Sequence, residues 1–229
     1  MVLENLNMTI PQGKVTAIVG ASGSGKTTLL KLLLRFYPPT QGKIRVGNMH
    51  LDDIDMALWR QKCGVVMQNG FIFHDTVLRN ITESESEGLV DRMRLNQAIE
   101  IANLGELIDV LPNGINTEIG ANGISLSGGQ NQRVLIARAV YKNPDYLFFD
   151  EATSALDARN ERVIMENLQS FYQGRTVVVI AHRLSTVKNA DQIIVLDKGR
   201  VVESGNHEEL TALKGAYYHL VKNQLELGQ

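Results

Sequence analysis

Eight consecutive residues, Gly20-Ala21-Ser22-Gly23-Ser24-Gly25-Lys26-Thr27, follow the spacing G-x-x-x-x-G-K-[ST], a pattern suited to cradling phosphates. Phosphate oxygens need several N–H donors converging on one anion, and glycine lets the backbone approach that closely. A helix starting near Lys26 adds the positive end of its dipole. The Lys26 ammonium would reach β- and γ-phosphates, and the Thr27 hydroxyl would ligate Mg²⁺. By itself the loop denotes a nucleoside triphosphate and leaves the reaction open.

Four further residues supply chemistry for such a ligand. Tyr146-Leu-Phe-Phe149 runs into Asp150-Glu151, a buried strand ending in two carboxylates. Asp150 suits the hydration shell of Mg²⁺, and Glu151 suits a general base for the attacking water. An acidic pair that merely solvates a strand end has the same sequence; the lysine loop upstream favours chemistry. Gln68, at another strand end, is a candidate for the metal or the attacking water. His182, after the strand at 176–181, is a candidate γ-phosphate sensor, because ligands gather at the carboxyl ends of such strands. His50, His74, His207 and His219 are read as structural. Leu126-Ser-Gly-Gly-Gln130 is different in kind: Ser127 and Gln130 make a capping box, which needs no ligand. The box leaves Gly128-Gly129 unexplained, since glycine in a first turn costs about 0.5–1 kcal/mol relative to alanine. An anion approaching bare N–H groups would explain the pair.

The elements that must hold these residues are legible from periodicity. Residues 14–19 read as a strand and 26–36 as a mostly buried helix, stopped by Pro38-Pro39. A small β region follows at 43–46 and around Ile54, then a helix at 56–62 and a strand at 64–68. Apolar residues at helical spacing fill 89–110, and 127–142 is a strong helix. Strands at 146–149, 176–180 and 192–196 alternate with a helix at 158–173. That alternation predicts an α/β fold with a largely parallel, covered sheet. Residues 70–143 interrupt it with helices only, so one nucleotide-binding unit over 1–229 is expected, its core from 1–69 and 144–229 and a helical lobe from 70–143.

Bulk properties narrow the classes. The 229 residues carry a formal charge of −2, with 44% hydrophobic residues. No electrostatic argument favours nucleic acid. The single cysteine, Cys63, fits a reducing compartment and a buried, hydrophobic role. No run approaches the roughly 18 apolar residues of a membrane span, and the first residues are not those of a secretory signal.

Taken together, the chain resembles the nucleotide-binding domain of ATP-binding cassette (ABC) transporters, over essentially its whole length. Gly20–Thr27 matches Walker A, Gln68 the Q-loop and Leu126–Gln130 the family signature, followed by Asn131-Gln132-Arg133. Tyr146–Asp150 matches Walker B with Glu151 as catalytic carboxylate, Ser154-Ala-Leu-Asp157 the D-loop, and His182 the switch histidine. The resemblance implies a P-loop NTPase (RecA-like) core with a small antiparallel β subdomain and an inserted α-helical subdomain. It also implies hydrolysis of ATP with Mg²⁺, in a head-to-tail homodimer joined to a transmembrane domain at the cytoplasmic face of the membrane. Nucleotide contacts would come from Gly20, Ser22, Gly23, Ser24, Gly25, Lys26, Thr27 and Thr28. Across the dimer interface they would come from Ser127, Gly128, Gly129 and Gln130, with Asp157 coupling the two sites. Metal ligation would fall to Thr27, Gln68 and Asp150, and catalysis to Glu151, His182, Lys26 and Gln68.

Residues 68–81, 181–185 and 205–210 look like exporters, and 137–149 is similar to peptidase-containing bacteriocin and peptide exporters. The alternatives are a soluble ABC ATPase, an importer cassette, or a P-loop kinase. The sequence departs from the exporter pattern in two places. It starts at Met1-Val2-Leu3, past the strand that carries an adenine-stacking aromatic, which implies an excised fragment with reduced ATP affinity. Gly120-Ala121-Asn122-Gly123 stands where exporters carry Gly-Glu-x-Gly, so the acidic cross-contact is lost at Ala121.

Overall fold

Strand segments with almost no polar residue fit a sheet covered on both sides, and the computed structural model, which describes residues 2–83, 87–153, 155–181 and 184–227, places them there. The chain enters through β1 (Val15–Val19), α1 (Lys26–Leu33), β2 (Arg45–Val46), β3 (Met49–His50), α2 (Met56–Lys62) and β4 (Cys63–Val66). It continues through β5 (Asp75–Thr76), α3 (Val77–Ile81), α4 (Arg92–Ile101), α5 (Gly105–Val110), β6 (Glu118–Ile119) and α6 (Gly128–Tyr141). There follow β7 (Tyr146–Asp150), α7 (Ala158–Tyr172), β8 (Thr176–Ile180), α8 (Leu184–Lys188), β9 (Gln192–Asp197), β10 (Arg200–Gly205), α9 (His207–Leu213) and α10 (Ala216–Leu227).

Among the described residues, six strands form one sheet in the order β10-β9-β1-β8-β7-β4. All neighbours are parallel except β10, which turns back on β9. Alternate residues serve opposite faces. Ala17, Val19, Leu147, Phe149, Val177 and Val179 pack with α6 and α7 through Val134, Ile136, Ile164 and Leu168. Ile18, Phe148, Val178 and Ile180 pack the other way, against Leu29, Leu30 and Leu34 at α1, and Trp59 and Cys63. With helices on both faces, loops leaving the carboxyl ends of β1, β4, β7 and β8 share one edge.

Several expected elements are corrected. Helix α1 ends at Leu33, not at residue 36. Arg35 takes a left-handed φ of 55°, and Phe36 N–H bonds back to the Lys31 carbonyl at 2.9 Å. The helix therefore closes on a Schellman turn before the prolines. Strand 43–46 pairs with Met49–His50, while Leu51–Asp53 is a 3-10 turn, so no strand forms around Ile54. The 89–110 stretch is two helices, broken where Asn103 turns left-handed at φ 50°. Residues 70–143 are not helices only, because β5 and β6 form a two-stranded antiparallel pair. Strand β10 and helices α9 and α10 were not foreseen.

Candidate active site

The phosphate loop leaves β1 and its shape requires its glycines. Gly20 (φ 152°) could not carry a Cβ, which would lie 2.1 Å from the Leu196 carbonyl oxygen. Gly25 (φ 103°) is the N-cap of α1 and offers no side-chain acceptor, so its first N–H groups have no cap of that kind. The Lys26 ammonium folds over the loop and donates to the carbonyls of Gly20 (2.8 Å) and Ala21 (2.9 Å). It is 7% exposed, and burial lowers its pKa against the opposing pull of Glu151 and, after it, Asp150. The Ser24 hydroxyl is buried with no hydrogen-bond partner among the described residues. Thr27 and Thr28 are half-buried behind it. A buried lysine, an unpartnered hydroxyl and a cradle that a Cβ would fill suit a polyanion.

The other strand ends arrive at the same place. Asp150, 1% exposed, closes β7. Glu151 follows in a left-handed backbone conformation (φ 52°), its N–H on the Ile180 carbonyl of the neighbouring β8 at 3.3 Å. The Gln68 amide donates to the Glu151 carboxylate at 2.9 Å. The structure thus assembles Lys26, Asp150, Glu151 and Gln68, residues far apart in sequence, at one sheet edge. His182 and Ser154 lie outside the described residues.

The signature turn is placed differently. Ser127 caps α6, accepting from Gln130 N at 3.2 Å while Gln130 Oε1 accepts from Ser127 N at 2.8 Å, so the expected capping box is present. Ser127 and Gly128 are exposed. Gly129 has a neighbour that sequence reasoning missed, because a Cβ there would lie 2.9 Å from the Ala155 carbonyl oxygen. The chain's own loop after β7 therefore explains at least one glycine without any anion. Asp157 caps α7 through Arg159 N (3.1 Å) and Asn160 N (2.9 Å). The Asn160 side-chain hydrogen bond, first, and those backbone bonds lower its carboxyl pKa.

Two residues to which the sequence reading gave no role hold the site's frame. Gln132, 6% exposed, bonds the backbone at both Glu151 and Ala155. Arg138 bonds the carbonyls of Asn80 (2.7 Å) and Phe71 (2.9 Å) and lies over the Phe73 ring. The available signal was spacing: Gln132 sits one turn before Ile136, a polar residue on an apolar stripe.

A sequence profile described as "ABC transporter" matches residues 3–154. The chain belongs to the ABC transporter family. It is 48% identical over 223 residues to an "ATP-dependent lipid A-core flippase" of Cupriavidus pinatubonensis, covering 97% of this chain and 38% of the flippase. It is 43% identical to the "Heterocyst differentiation ATP-binding protein HepA" of Nostoc sp., covering 100% of this chain and 37% of that protein. A solved bacterial Atm1-family ABC exporter with ATP bound superposes with a TM-score of 0.91 at 39% identity, over 97% of this chain and 39% of that one. The chain thus spans well under half the length of these proteins. The match fixes the fold as the ABC P-loop NTPase domain, which in this family is the ATPase, and these relatives favour the exporter branch over importers. Peptide export is a finer statement than these relatives carry.

Proposed function

We propose that this ABC domain is the ATP-driven motor of a membrane exporter, two copies closing head-to-tail on ATP and reopening after hydrolysis. The observation that carries the reading is a division of labour within one chain. Lys26, Asp150, Glu151 and Gln68 gather at one sheet edge. The capped glycine turn, with Ser127 and Gly128 exposed, makes its hydrogen bonds within α6. A second copy would bring that turn to the phosphates.

In this arrangement Lys26 and the N–H groups opening α1 hold the β- and γ-phosphates. Gln68 and Glu151 would hold the attacking water between amide and carboxylate, and Glu151 takes its proton as the in-line attack proceeds. Ser127 and Gly129 of the second copy would stabilise charge on the γ-phosphate. Thr27 and Gln68 would hold Mg²⁺ together with phosphate oxygens, Asp150 backing its hydration shell. The ion supplies charge neutralisation on the phosphates.

Coupling to a membrane domain would fall on the segment after Gln68. Phe71 and Phe73 are 69% and 44% exposed, with ring centroids 5.5 Å apart, and Arg138 fixes the carbonyl of the first. A cleft of about 200 Å³ between α1, α2 and α6, lined by Leu34, Trp59, Cys63 and Ala139, opens beside Arg138. A helix from the membrane domain would dock there. The domain itself would be peripheral to the membrane, since no helix among the described residues is long and apolar enough to cross one. The lipid named for the flippases and a peptide, suggested by residues 137–149, are the two cargo classes, separable by which one stimulates hydrolysis in the full-length protein.

The test is Glu151→Gln. Loss of a general base costs about 10²–10⁴-fold in rate, while nucleotide affinity is retained. Light scattering should show a dimer that persists with Mg-ATP and disperses without it. Unchanged turnover, or a monomer at saturating ATP, contradicts the reading.

A further inference from the structure

The sequence places Asn131-Gln132-Arg133 directly after the signature, and hydrolysis as described above uses none of them. The Gln132 side chain is nearly inaccessible, and both its amide nitrogen and its amide oxygen are hydrogen-bonded. Nε2 donates to the Glu151 carbonyl at 3.0 Å, and Oε1 accepts from Ala155 N–H at 3.0 Å. One buried amide therefore ties the start of the loop that leaves β7, at Glu151, to Ala155 further along it. The clamp sits under the signature turn, because the same Ala155 approaches Gly129 and Gly128, where an added Cβ would stand 2.9 Å from its carbonyl oxygen and 3.7 Å from its Cβ. Glu151 needs such a clamp, since a left-handed φ of 52° is unfavourable for a residue with a side chain and persists only where surroundings impose it.

We infer that Gln132 is a positioning residue that makes the signature turn and the catalytic carboxylate of one chain move as a single body. The inference rests on the two-copy reading. There, Ser127–Gly129 touches the ATP held by the partner, and Glu151 serves the ATP held by its own lysine loop. A shift of α6 when the turn engages one nucleotide is transmitted by Gln132 to the Glu151 peptide at the other. The chain thereby links its two composite sites through one side chain, and the linkage appears as cooperativity in ATP.

The experiment compares the full chain with Gln132→Met, which keeps the volume and loses both hydrogen bonds, and Gln132→Glu. Gln132→Met should bind a fluorescent ATP analogue within about twofold of wild type, while kcat falls about tenfold or more and the Hill coefficient drops towards unity. In Gln132→Glu the ionised carboxylate repels the Glu151 carbonyl. The protonated acid, which burial favours, restores both bonds, one O–H donated and one C=O accepting. Its kcat relative to wild type should therefore rise as pH falls. Retention of both kcat and Hill coefficient in Gln132→Met overturns the inference, as does a parallel fall in affinity, rate and melting temperature, which marks packing alone. Should Gln132→Met fail to fold, a flat pH ratio for Gln132→Glu overturns it and a rising one supports it. Wild type that hydrolyses ATP without cooperativity would refute the two-copy reading first and this inference with it, whereas cooperative wild type with an indifferent Gln132→Met refutes this inference alone.

Discussion

Glu151 shows how chemistry at a single residue depends on backbone it does not own. Its left-handed conformation carries a cost of about 1 kcal/mol or more, met by bonds from Gln132 and to Ile180. The residue type and its place after an apolar strand were readable in sequence; the strained φ was not, because it is imposed by groups distant in the chain. Cys63 is the opposite case, fully legible as a small buried hydrophobe. It is 3% exposed, and burial pushes its thiol from 9.0 up to about 12. Native protein should therefore resist iodoacetamide at mildly alkaline pH and react once unfolded in urea, as counted by mass spectrometry. Rapid native labelling would contradict its placement. The sign of the linkage follows: the folded thiol resists ionisation while the unfolded one ionises near 9.0. Its contribution to stability is whole below that pH and declines as pH rises towards 12.

At the scale of elements, periodicity located most strands and helices because burial on one or both faces dictates residue type. It failed where other forces rule. The end of α1 is set by the turn at Arg35 rather than by Pro38, and the break at Asn103 interrupts a pattern whose apolar spacing runs on. The two-residue strands β5 and β6 are too short to leave a pattern at all. Helix α6 tests the division between capping and ligand contact. Replacing Ser127 by Ala removes the cap bond and should cost about 1 kcal/mol, read as an earlier urea midpoint. Gly129→Ala places a methyl 2.9 Å from the Ala155 oxygen, and should slow hydrolysis about tenfold or more with nucleotide affinity kept. Equal rates for Gly129→Ala and wild type would show that the loop yields and that the glycine is there for neither purpose.

At the scale of the molecule, the parallel sheet explains why sites separated by more than a hundred residues meet: β1, β4 and β7 deliver Lys26, Gln68 and Glu151 to one edge. The order of the motifs was legible in the chain; the edge that unites them follows from the strand order β1-β8-β7-β4. The signature turn is the exception, since Ser127 stands exposed at the start of α6. Covalent capture tests this most directly. In a Cys63→Ser, Glu151→Gln background, cysteines replace exposed Ser22 in the phosphate loop and exposed Ser127 in the signature turn. Mild oxidation should give a disulfide-linked dimer of the double variant with Mg-ATP, little without nucleotide, and none for either single variant. Failure to form that dimer under conditions where the chain binds ATP would contradict the account.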